Sequence, residues 1–413
     1  MKIVLVQPRV GYEGCSYWDA LGIGYIISYL KSKGFDGRIE FYSGAFDSDD
    51  VIVKACSDAD FVGFGCTSPQ LKHALFLSRR IKEVNPNCKT VFGGWHATAD
   101  PMGTIKHQEV DYVITGEGEI GMQQLISGHI KEPVINSPCF PNLDELPWPD
   151  RETIKAERHI QVAFKENGER ITSIMGSRGC PMRCIFCSEH LMTKGWIRMR
   201  TPKLLVDEIE YVVSKYRINL LKFVDAEINK SVRWVKELCH ELIRRNMNVE
   251  FEANVHASFV DKEMFKLMRK AGFRQIDIGV ETGSPRILRQ IRKGTTIKQI
   301  RKVFKWSKDV GLLRRAYFMC GFPDERPEDV KLTFKLAKEL DPDVVGMTIL
   351  CPFPGTEVYS EEYKNVDWSV ADEYGNPFYR TKYFTNEELK EIQQRFVKAF
   401  KDKLCYRLKG AES

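Results

Sequence analysis

Three closely spaced cysteines constrain this chain more than any other feature. Cys180, Cys184 and Cys187 follow a C-x3-C-x2-C pattern, directly after a short apolar strand that we predict over residues 171–175. Thiolates are the usual ligands of a cubic [4Fe–4S] cluster, and four of them complete its coordination. Three thiolates on one loop would therefore hold three irons, and the fourth iron would stay open to nitrogen and oxygen atoms of another molecule.

Two other uses of these thiols remain open. A structural zinc ion takes four ligands, and His190 would be the fourth beside the three cysteines. A disulfide is a poorer interpretation, because thiols this close make strained pairs and nothing else suggests secretion. Other cysteines, for example Cys56 and Cys239, lie in apolar contexts that are typical of free thiols in a reducing compartment.

The bulk properties of the chain suit a cytoplasmic enzyme. Its 413 residues are enough for two or three domains. The net charge of +6 is spread along the chain, which suits an acidic partner but does not argue for nucleic acid. No run of about 18 apolar residues occurs, so we predict no membrane span, and the first residues are typical of a strand rather than of a signal peptide.

Residues 1–135 alternate short apolar runs with helical patterns. We predict strands over residues 3–7, 38–42, 61–65, 90–92 and 112–115, with helices between them, for example over 20–33 and 70–83. This alternation predicts an α/β domain with a doubly wound parallel sheet. Such sheets bind ligands at the carboxyl ends of their strands.

The loops at those strand ends hold glycines and small polar residues. Glycine lets the backbone approach a ligand closely, and hydroxyl and amide groups can anchor its polar arms. The first loop, residues 8–14, lacks the G-x-G-x-x-G pattern, which speaks against a dinucleotide. The candidate binding residues are Thr67, Ser68 and Gln70 after the third strand, Gly93, Gly94, Trp95 and His96 after the fourth, and Gly116, Glu117 and Gly118 after the fifth.

A second α/β region follows a proline-rich linker over residues 136–165. Over residues 166–358 we predict six strand–helix units, with strands at 171–175, 220–224, 249–253, 275–279, 316–320 and 344–350. Six units make a partial (β/α)6 barrel, whose active residues lie at the carboxyl ends of the strands. Residues 359–413 are aromatic and charged, and we predict a helical cap there whose last helix spans 387–407. Its aromatic loops would either shape a substrate pocket or simply pack.

The cysteine loop resembles the signature of the radical S-adenosylmethionine (SAM) enzymes, because Ser177, Arg178 and Gly179 precede it and Phe186 stands before the last cysteine. The resemblance implies that the open iron binds the amino and carboxylate groups of SAM, and that the reduced cluster cleaves SAM to a 5′-deoxyadenosyl radical. The resemblance extends to three strand ends of the barrel. At the first, Asp225 and Glu227 would accept hydrogen bonds from the ammonium group of SAM. At the next two, Asn254 and His256 would meet SAM or substrate, and Glu281 would bind the ribose hydroxyls.

The N-terminal region resembles the cobalamin-binding domain of B12-dependent radical SAM proteins, through its Gly-Gly-x-His-Ala-Thr and Gly-Glu-Gly-Glu stretches. It lacks the D-x-H-x-x-G run that supplies a histidine ligand to cobalt. The resemblance therefore implies a Rossmann-like domain that holds cobalamin base-off, with the nucleotide tail in the sheet. His96 would be a hydrogen-bonding loop residue, and Gln70 would lie near the lower face of the corrin. The alternative is a flavodoxin-like domain that has lost the cofactor.

Together the two resemblances imply a cobalamin-dependent radical SAM methyltransferase with a [4Fe–4S] cluster, SAM and cobalamin as cofactors. One SAM would methylate cobalamin, a second would give the adenosyl radical, and methylcobalamin would deliver its methyl group to an unactivated carbon of the substrate. An electron donor would have to reduce the cluster and the cobalamin. No residue is assigned a catalytic proton transfer. The size and two-domain plan are similar to those of glutamine C-methyltransferases, so we favour a protein side chain such as glutamine as the substrate.

Two other functions stay open. The first keeps both cofactors but closes, rearranges or oxidises its substrate without methyl transfer. The second is a non-catalytic iron–sulfur protein, which would form no deoxyadenosine from SAM. Methylthiotransferases share the barrel signature but carry a further cysteine triad in their N-terminal domain; here Cys15, Cys56, Cys66 and Cys88 form no evident cluster.

Overall fold

The computed structural model describes residues 1–10, 19–371 and 375–403. Most of the predicted first loop, Cys15 and the last four residues of the predicted final helix lie outside these ranges. Two six-stranded sheets form the framework, and all strand pairs within each of them are parallel. The predicted α/β class, with a doubly wound sheet followed by a partial barrel, is therefore confirmed. No helix in the described part of the chain has the length and apolar character that crossing a membrane requires.

The first sheet has the strand order β2-β1-β3-β4-β5-β6. Its central strands are continuous apolar runs, which is typical of parallel strands that are covered on both faces. The sequence did not predict the sixth strand, which has only three residues. The strands are β1 (Lys2–Gln7), β2 (Arg38–Ser43), β3 (Phe61–Gly65), β4 (Lys89–Gly93), β5 (Tyr112–Thr115) and β6 (Val134–Asn136); the helices are α1 (Leu21–Ser32), α2 (Asp49–Ala55), α3 (Leu71–Val84), α4 (Gly94–Ala99), α5 (Pro101–Thr104) and α6 (Gly118–Ile126).

Side chains of this sheet alternate between two cores. On β1, Val4 and Val6 belong to a core with α2 and α3, whereas Ile3 and Leu5 belong to a core with α1 and α6. The alternation follows from the two-residue repeat of a strand. Each face is thereby covered by helices, and the carboxyl ends of the strands form an edge that faces the second half of the molecule.

The linker is tied to both halves by buried polar contacts. The guanidinium of Arg151 donates to Asp19 Oδ2 at 2.9 Å, to Thr172 Oγ1 at 3.2 Å and to the carbonyl oxygen of Ser173 at 2.7 Å. Arg151 is 4% exposed. Because a buried charge needs partners, this residue joins the start of α1 to the first strand of the second sheet.

The second sheet has the order β14-β13-β12-β11-β10-β7 and forms the partial barrel. A short antiparallel pair, β8 and β9, stands beside it at the cysteine loop. The strands are β7 (Ile171–Ile174), β8 (Ser177–Arg178), β9 (Arg198–Met199), β10 (Leu220–Phe223), β11 (Glu250–Val255), β12 (Phe273–Glu281), β13 (Leu313–Cys320) and β14 (Val344–Ile349); the helices are α7 (Ala156–Asn167), α8 (Glu189–Thr193), α9 (Pro202–Tyr216), α10 (Val232–Arg245), α11 (Lys262–Lys270), α12 (Pro285–Gln290), α13 (Ile297–Asp309), α14 (Pro327–Leu340) and α15 (Asn386–Ala399).

Helix starts in the barrel follow local capping signals. Asp261 Oδ1 accepts from the backbone amide of Met264 at 2.7 Å, and Thr296 Oγ1 accepts from that of Gln299 at 3.3 Å. Such caps satisfy backbone donors that the first turn of a helix leaves free. Thr201 precedes α9 without capping it in this way, because its hydroxyl donates to Asp144.

The final helix covers the edge of the barrel. Helix α15 packs against β13 and β14, and Phe396 lies 5.5 Å from Phe318, measured between ring centroids. This protects the edge strand β14 from pairing with another chain. The helix is shorter than the predicted 387–407, because residues 401–403 form a separate 3-10 turn.

Candidate functional site

The cysteine loop lies between β8 and α8, at the carboxyl ends of the barrel strands. Gly179 begins it with a φ of +93°, and a Cβ there would overlap the carbonyl oxygen of Trp196. The loop is fixed at its centre, where the backbone amide of Ile185 donates to the carbonyl oxygen of Ile291 at 3.2 Å. The sequence therefore needs glycine at position 179 to turn the chain into the loop.

The three thiols share one electrostatic environment. Burial raises the pKa of Cys180 and that of Cys184 to about 12, and it also raises the pKa of Cys187; each thiolate would raise the pKa values of its neighbours further. Among the described residues, no three His, Cys, Asp or Glu side chains are arranged to hold one metal ion. In a cubic cluster each thiolate binds a different iron, and binding would release the thiol protons.

Asp225 and Asn254 stabilise the strand ends opposite the loop. The carboxylate of Asp225 accepts from the amide of Gly176 at 2.9 Å and from the hydroxyl of Ser177. Asn254 Nδ2 donates to the backbone oxygen of Asp225 at 3.0 Å. Asp225 therefore holds the segment that leads from β7 into the cysteine loop, and Asn254 holds the backbone of Asp225.

Glu227 keeps a buried oxygen without a partner. Its Oε2 atom is buried and has no hydrogen bond within the described protein, and the residue is 8% exposed. Burial raises the pKa of this carboxyl, and the nearby charges of Lys293 and Lys230 offset part of that effect. A carboxylate that lacks a donor in a buried site fits a cationic ligand, and the ammonium group of SAM is such a cation.

Glu281 is paired with a lysine that the sequence did not single out. Lys293 Nζ donates to Glu281 Oε1 at 2.7 Å, and a Cβ at Gly279 would overlap both groups. Glu281 has a φ of +62°, which is rare for a residue with a side chain. Burial alone would lower the pKa of Lys293, but the charge of Glu281 outweighs it and holds that pKa above its ordinary value. No motif surrounds Lys293, so only the folded chain reveals the pair.

His256 forms a hydrogen bond with the backbone of the same lysine. Its Nε2–H donates to the carbonyl oxygen of Lys293 at 2.9 Å, and its Nδ1 accepts from the amide of Ser258 at 3.3 Å. Burial lowers the pKa of His256 to about 4, so the ring is neutral at physiological pH. Its Nε2 lies 4.0 Å from Glu227 Oε1.

A cavity of about 370 Å³ opens at the carboxyl edge of the first sheet and extends to residues that flank the cysteine loop, among them Arg178 and Glu189. On the barrel side it is lined by Met175, Ser177, Arg178, Val224 and others. The two halves of the chain therefore share one cavity. The predicted residues that line it are Gly93, Gly94, Trp95, Gly116, Glu117 and Gly118.

Glycines create much of the space in this cavity. A Cβ at Gly65 or Gly93 would meet its nearest neighbour only at 3.6 Å or 3.7 Å, so a side chain there would project into the cavity without displacing protein. Gly94 and Gly116 have φ values of +83° and +77°, which glycine adopts without strain. A large, flat cofactor that must approach the backbone, such as cobalamin, fits this wall.

Four other predicted cobalamin residues do not line the cavity. Gln70 Nε2 donates to the carbonyl oxygen of Pro8 at 2.6 Å, and its Oε1 accepts from the amide of Thr67 at 2.9 Å. His96 Nδ1 and Ser68 Oγ lie 2.9 Å apart. Burial lowers the pKa of His96 to about 4. Their polar atoms are thus occupied in hydrogen bonds of the loops around β3 and β4.

An ionic network joins the cavity wall to the cysteine loop. Arg178 contacts Glu117 at 2.9 Å and Glu119 at 2.6 Å, and Arg198 contacts Glu117 at 2.5 Å. Burial would raise the pKa of Glu117, but the hydrogen bond from Arg198 and the charge of Arg178 outweigh it, so that pKa is lowered. The sequence pointed to Glu117 and to the stretch around Arg178 separately, but not to this pairing, because its members lie far apart in the chain.

Glu189, which sequence reasoning also missed, lines the cavity on α8, directly after the cysteine loop. Burial raises the pKa of this carboxyl to about 7; the charge of Lys230 lowers it and the charges of Asp225 and Glu227 raise it. A carboxyl group on the cavity wall with a pKa of about 7 can hold a proton or release one near physiological pH. Its place two residues after Cys187 is the only signal that the sequence offers.

Each half of the chain matches the model of a known protein family. The family model "Radical SAM superfamily" matches residues 174–337, and the model "B12 binding domain" matches residues 15–126. An uncharacterized methyltransferase of Pyrococcus horikoshii is 28% identical over 97% of this chain and 92% of its own length. The anaerobic magnesium-protoporphyrin IX monomethyl ester cyclase of Rubrivivax gelatinosus is 27% identical over 87% of this chain and 70% of its own length.

A solved structure shares most of this architecture. The radical SAM methyltransferase TsrM from Kitasatospora setae, with cobalamin and a [4Fe–4S] cluster bound, aligns with a TM-score of 0.71 and 18% identity. The alignment covers 86% of this chain and 76% of that one. Another structure of TsrM contains its tryptophan substrate. At this identity the likeness establishes the fold.

Proposed function

The chain belongs to the radical SAM enzymes that carry a B12-binding domain, with a [4Fe–4S] cluster, SAM and cobalamin as cofactors, and from this we propose that it transfers a methyl group to a carbon atom of its substrate. The observation that carries the proposal is the shared cavity. Residues of the cobalamin-binding half, such as Gly94 and Gly118, line it together with Ser177 and Met192 of the barrel half. A methyl carrier and a radical source that open into one cavity can act on the same substrate atom.

The cofactors supply a radical that removes hydrogen from carbon and a cobalt-bound methyl group that replaces it. The chain's part is binding and orientation. Cys180, Cys184 and Cys187 would hold the cluster, and the free oxygen of Glu227 would accept a hydrogen bond from the ammonium group of SAM. Lys293 holds Glu281 in place beside it.

The ionic network fixes the position of one half of the chain relative to the other. Arg178 leaves β8 directly before the cysteine loop and reaches the two glutamates at the start of α6. A radical abstracts hydrogen from the nearest bond, so the reacting groups need a fixed separation and a site without mobile water. The buried contacts of Arg178 and Arg198 with Glu117 serve this purpose.

A small molecule is the substrate class that the relatives support. TsrM binds tryptophan, whereas a protein substrate has no counterpart among the relatives described above. The glutamine side chain predicted from the sequence therefore remains a prediction. A reductant of low potential is also required for the cluster and the cobalamin.

Ring closure without methyl transfer is the second candidate. The relative from Rubrivivax gelatinosus is a cyclase, and its identity to this chain is close to that of the Pyrococcus methyltransferase. Both reactions would use the same cofactors and begin with removal of a hydrogen atom.

The test uses the reconstituted full chain with SAM labelled in its methyl group, titanium(III) citrate as reductant, and a cell extract separated into small molecules and protein. Methyl transfer predicts deoxyadenosine together with label in one fraction, and the fraction identifies the substrate class. Deoxyadenosine without transferred label would refute the methyltransferase and favour the cyclase. The Cys184→Ala variant is the control and should form no deoxyadenosine.

A further inference from the structure

Part of the shared cavity is a slot between the first sheet and the helices α1 and α6, which we call the base slot. Its lining residues all belong to the N-terminal half. The side chains around it are all apolar, and glycines complete the wall. Its lining consists of Leu5, Ile23, Ile26, Gly63, Gly65, Val91, Ile114 and Met122.

The slot opens because β3 carries no side chain at two of the three positions that face these helices; the third, Phe61, packs with this core at the start of the strand. Residues 63 and 65 of β3 point to this face, and both are glycine, whereas Val62 and Phe64 belong to the core on the opposite face. Val91 of the neighbouring strand is paired with Gly63. A Cβ at Gly63 would lie 2.7 Å from Leu5 Cδ2, so a side chain there would have to displace the end of the Leu5 side chain.

The described residues offer this slot no hydrogen-bonding side chain. Backbone groups of β1, β3, β4 and β5 are consumed by the parallel ladder of the sheet. Tyr25 also lines the cavity, but its ring packs with Phe140 and Leu146, and the charges that act on its hydroxyl are those of barrel residues such as Arg178 and Arg200. A polar group that entered the base slot would therefore lose its bonds to water without replacement.

We infer that the protein selects among corrinoids by the polarity of the lower base, and that it accepts benzimidazole and phenolic bases but disfavours purine bases. The inference rests on cobalamin binding and not on methyl transfer. Of the elements described, the base slot is the apolar space into which a nucleotide tail can extend from the carboxyl edge of the sheet. The base slot distinguishes lower bases by their shape and by the cost of burying their polar groups, and not by hydrogen bonds from side chains.

The number of polar groups on each base predicts the order of the binding affinities. A phenolic ring brings no ring nitrogen, benzimidazole brings one free ring nitrogen, and adenine brings an amino group and several ring nitrogens that need partners. Each buried group without a partner costs enough to weaken binding roughly tenfold. We therefore expect adenine-containing cobamide to bind at least about tenfold more weakly than cobalamin.

The experiment compares three cobamides on the full chain without SAM or substrate: cobalamin, its adenine analogue and its p-cresol analogue. All three are used in the cobalt(I) state, in which the cobalt has no lower ligand. The free energy of detaching the base from cobalt therefore does not contribute to the differences in affinity. Dissociation constants come from anaerobic gel filtration with absorbance detection. Tight binding of the first and third and weak binding of the adenine form is expected. Equal affinity of all three would overturn the inference.

Two matched variants test whether the base slot causes the selection. Val91→Thr places a hydroxyl in the slot at a similar side-chain volume; this hydroxyl can pair with one polar group of adenine and should reduce the discrimination severalfold. Val62→Thr places the same hydroxyl on the opposite face of the sheet and should leave the discrimination unchanged. Equal ratios in the two variants would also overturn the inference. Failure to retain any of the three cobamides would overturn it together with the proposed function, whereas failed methyl transfer would leave it intact.

Discussion

The carboxylate of Glu227 is buried next to the cysteine loop, and one of its oxygens has no donor within the described protein. Its neighbours Asp225 and Asn254 differ, because their polar side-chain groups already hold backbone. Of these three residues, Glu227 is therefore the one with a buried, unpartnered oxygen left for the ligand.

Replacing Glu227 by glutamine should weaken SAM binding and leave the fold intact. A hydrogen bond to a charged group contributes about 1.5–3 kcal/mol, so we expect a loss of roughly ten- to a hundredfold in affinity. Equilibrium binding of SAM to the cluster-reconstituted protein measures it. Glu237→Gln, on the outer surface of α10, is the control. An unchanged dissociation constant in Glu227→Gln would remove this residue from the SAM site.

His96 should make stability fall on acidification. Burial lowers its pKa from 6.5 to about 4, so between these values the unfolded chain binds a proton that the folded chain excludes. Stability from this group is therefore complete above pH 6.5 and is lost as the pH falls, by about 2 kcal/mol between pH 7 and pH 5. Urea unfolding should show a loss about 2 kcal/mol smaller in His96→Asn than in the wild type and the exposed control His129→Asn, because buried His256 contributes to the loss in all three. An equal loss in all three would contradict the assignment.

At the level of elements, strand β3 decides whether the first half has room for a cofactor. Its glycines at positions 63 and 65 remove side chains from one face, while Val62 and Phe64 keep the other face packed. The strand is thus both a core element and one wall of the cavity.

Substituting Gly65 by valine should close this wall. Its Cβ would lie 3.6 Å from Ile23, an ordinary contact, so we expect the fold to persist. The added methyl groups would occupy cofactor space, and cobalamin affinity should fall by roughly tenfold or more. Retained cobalamin after desalting measures this. Gly375→Val, at a position with open space around it, is the control. Full retention by Gly65→Val would show that the cofactor lies elsewhere.

The elements were predictable because their signals are local. The cysteine loop follows from spacing, and the strands of both sheets follow from apolar runs of four to nine residues. Strand β6 was missed because three residues next to prolines carry too little pattern. The Glu281–Lys293 pair and the Arg178–Glu117 pair were missed for another reason: they depend on where loops meet after folding, and no local pattern encodes that meeting.

On the scale of the whole molecule, two cofactor-binding halves share one cavity and a buried ionic network. Replacing Arg198 by glutamine would leave Glu117 with one fewer charged partner while it stays buried. Breaking a buried pair in this way costs about 3–5 kcal/mol. Thermal unfolding should show a clearly lowered midpoint, whereas Arg233→Gln on the surface should behave as the wild type. A midpoint equal to that of the control would mean that the network does not hold the halves together.

The most direct test of the shared cavity is the electron spin relaxation of the cobalt(II) form of cobalamin bound to the reconstituted protein. The account predicts about one cobalamin per chain, and faster cobalt relaxation once the iron–sulfur cluster is reduced, because the two centres face each other. Cys184→Ala should retain cobalamin and lose the effect. Cobalt relaxation that is indifferent to the state of the cluster would contradict a common site for the two cofactors.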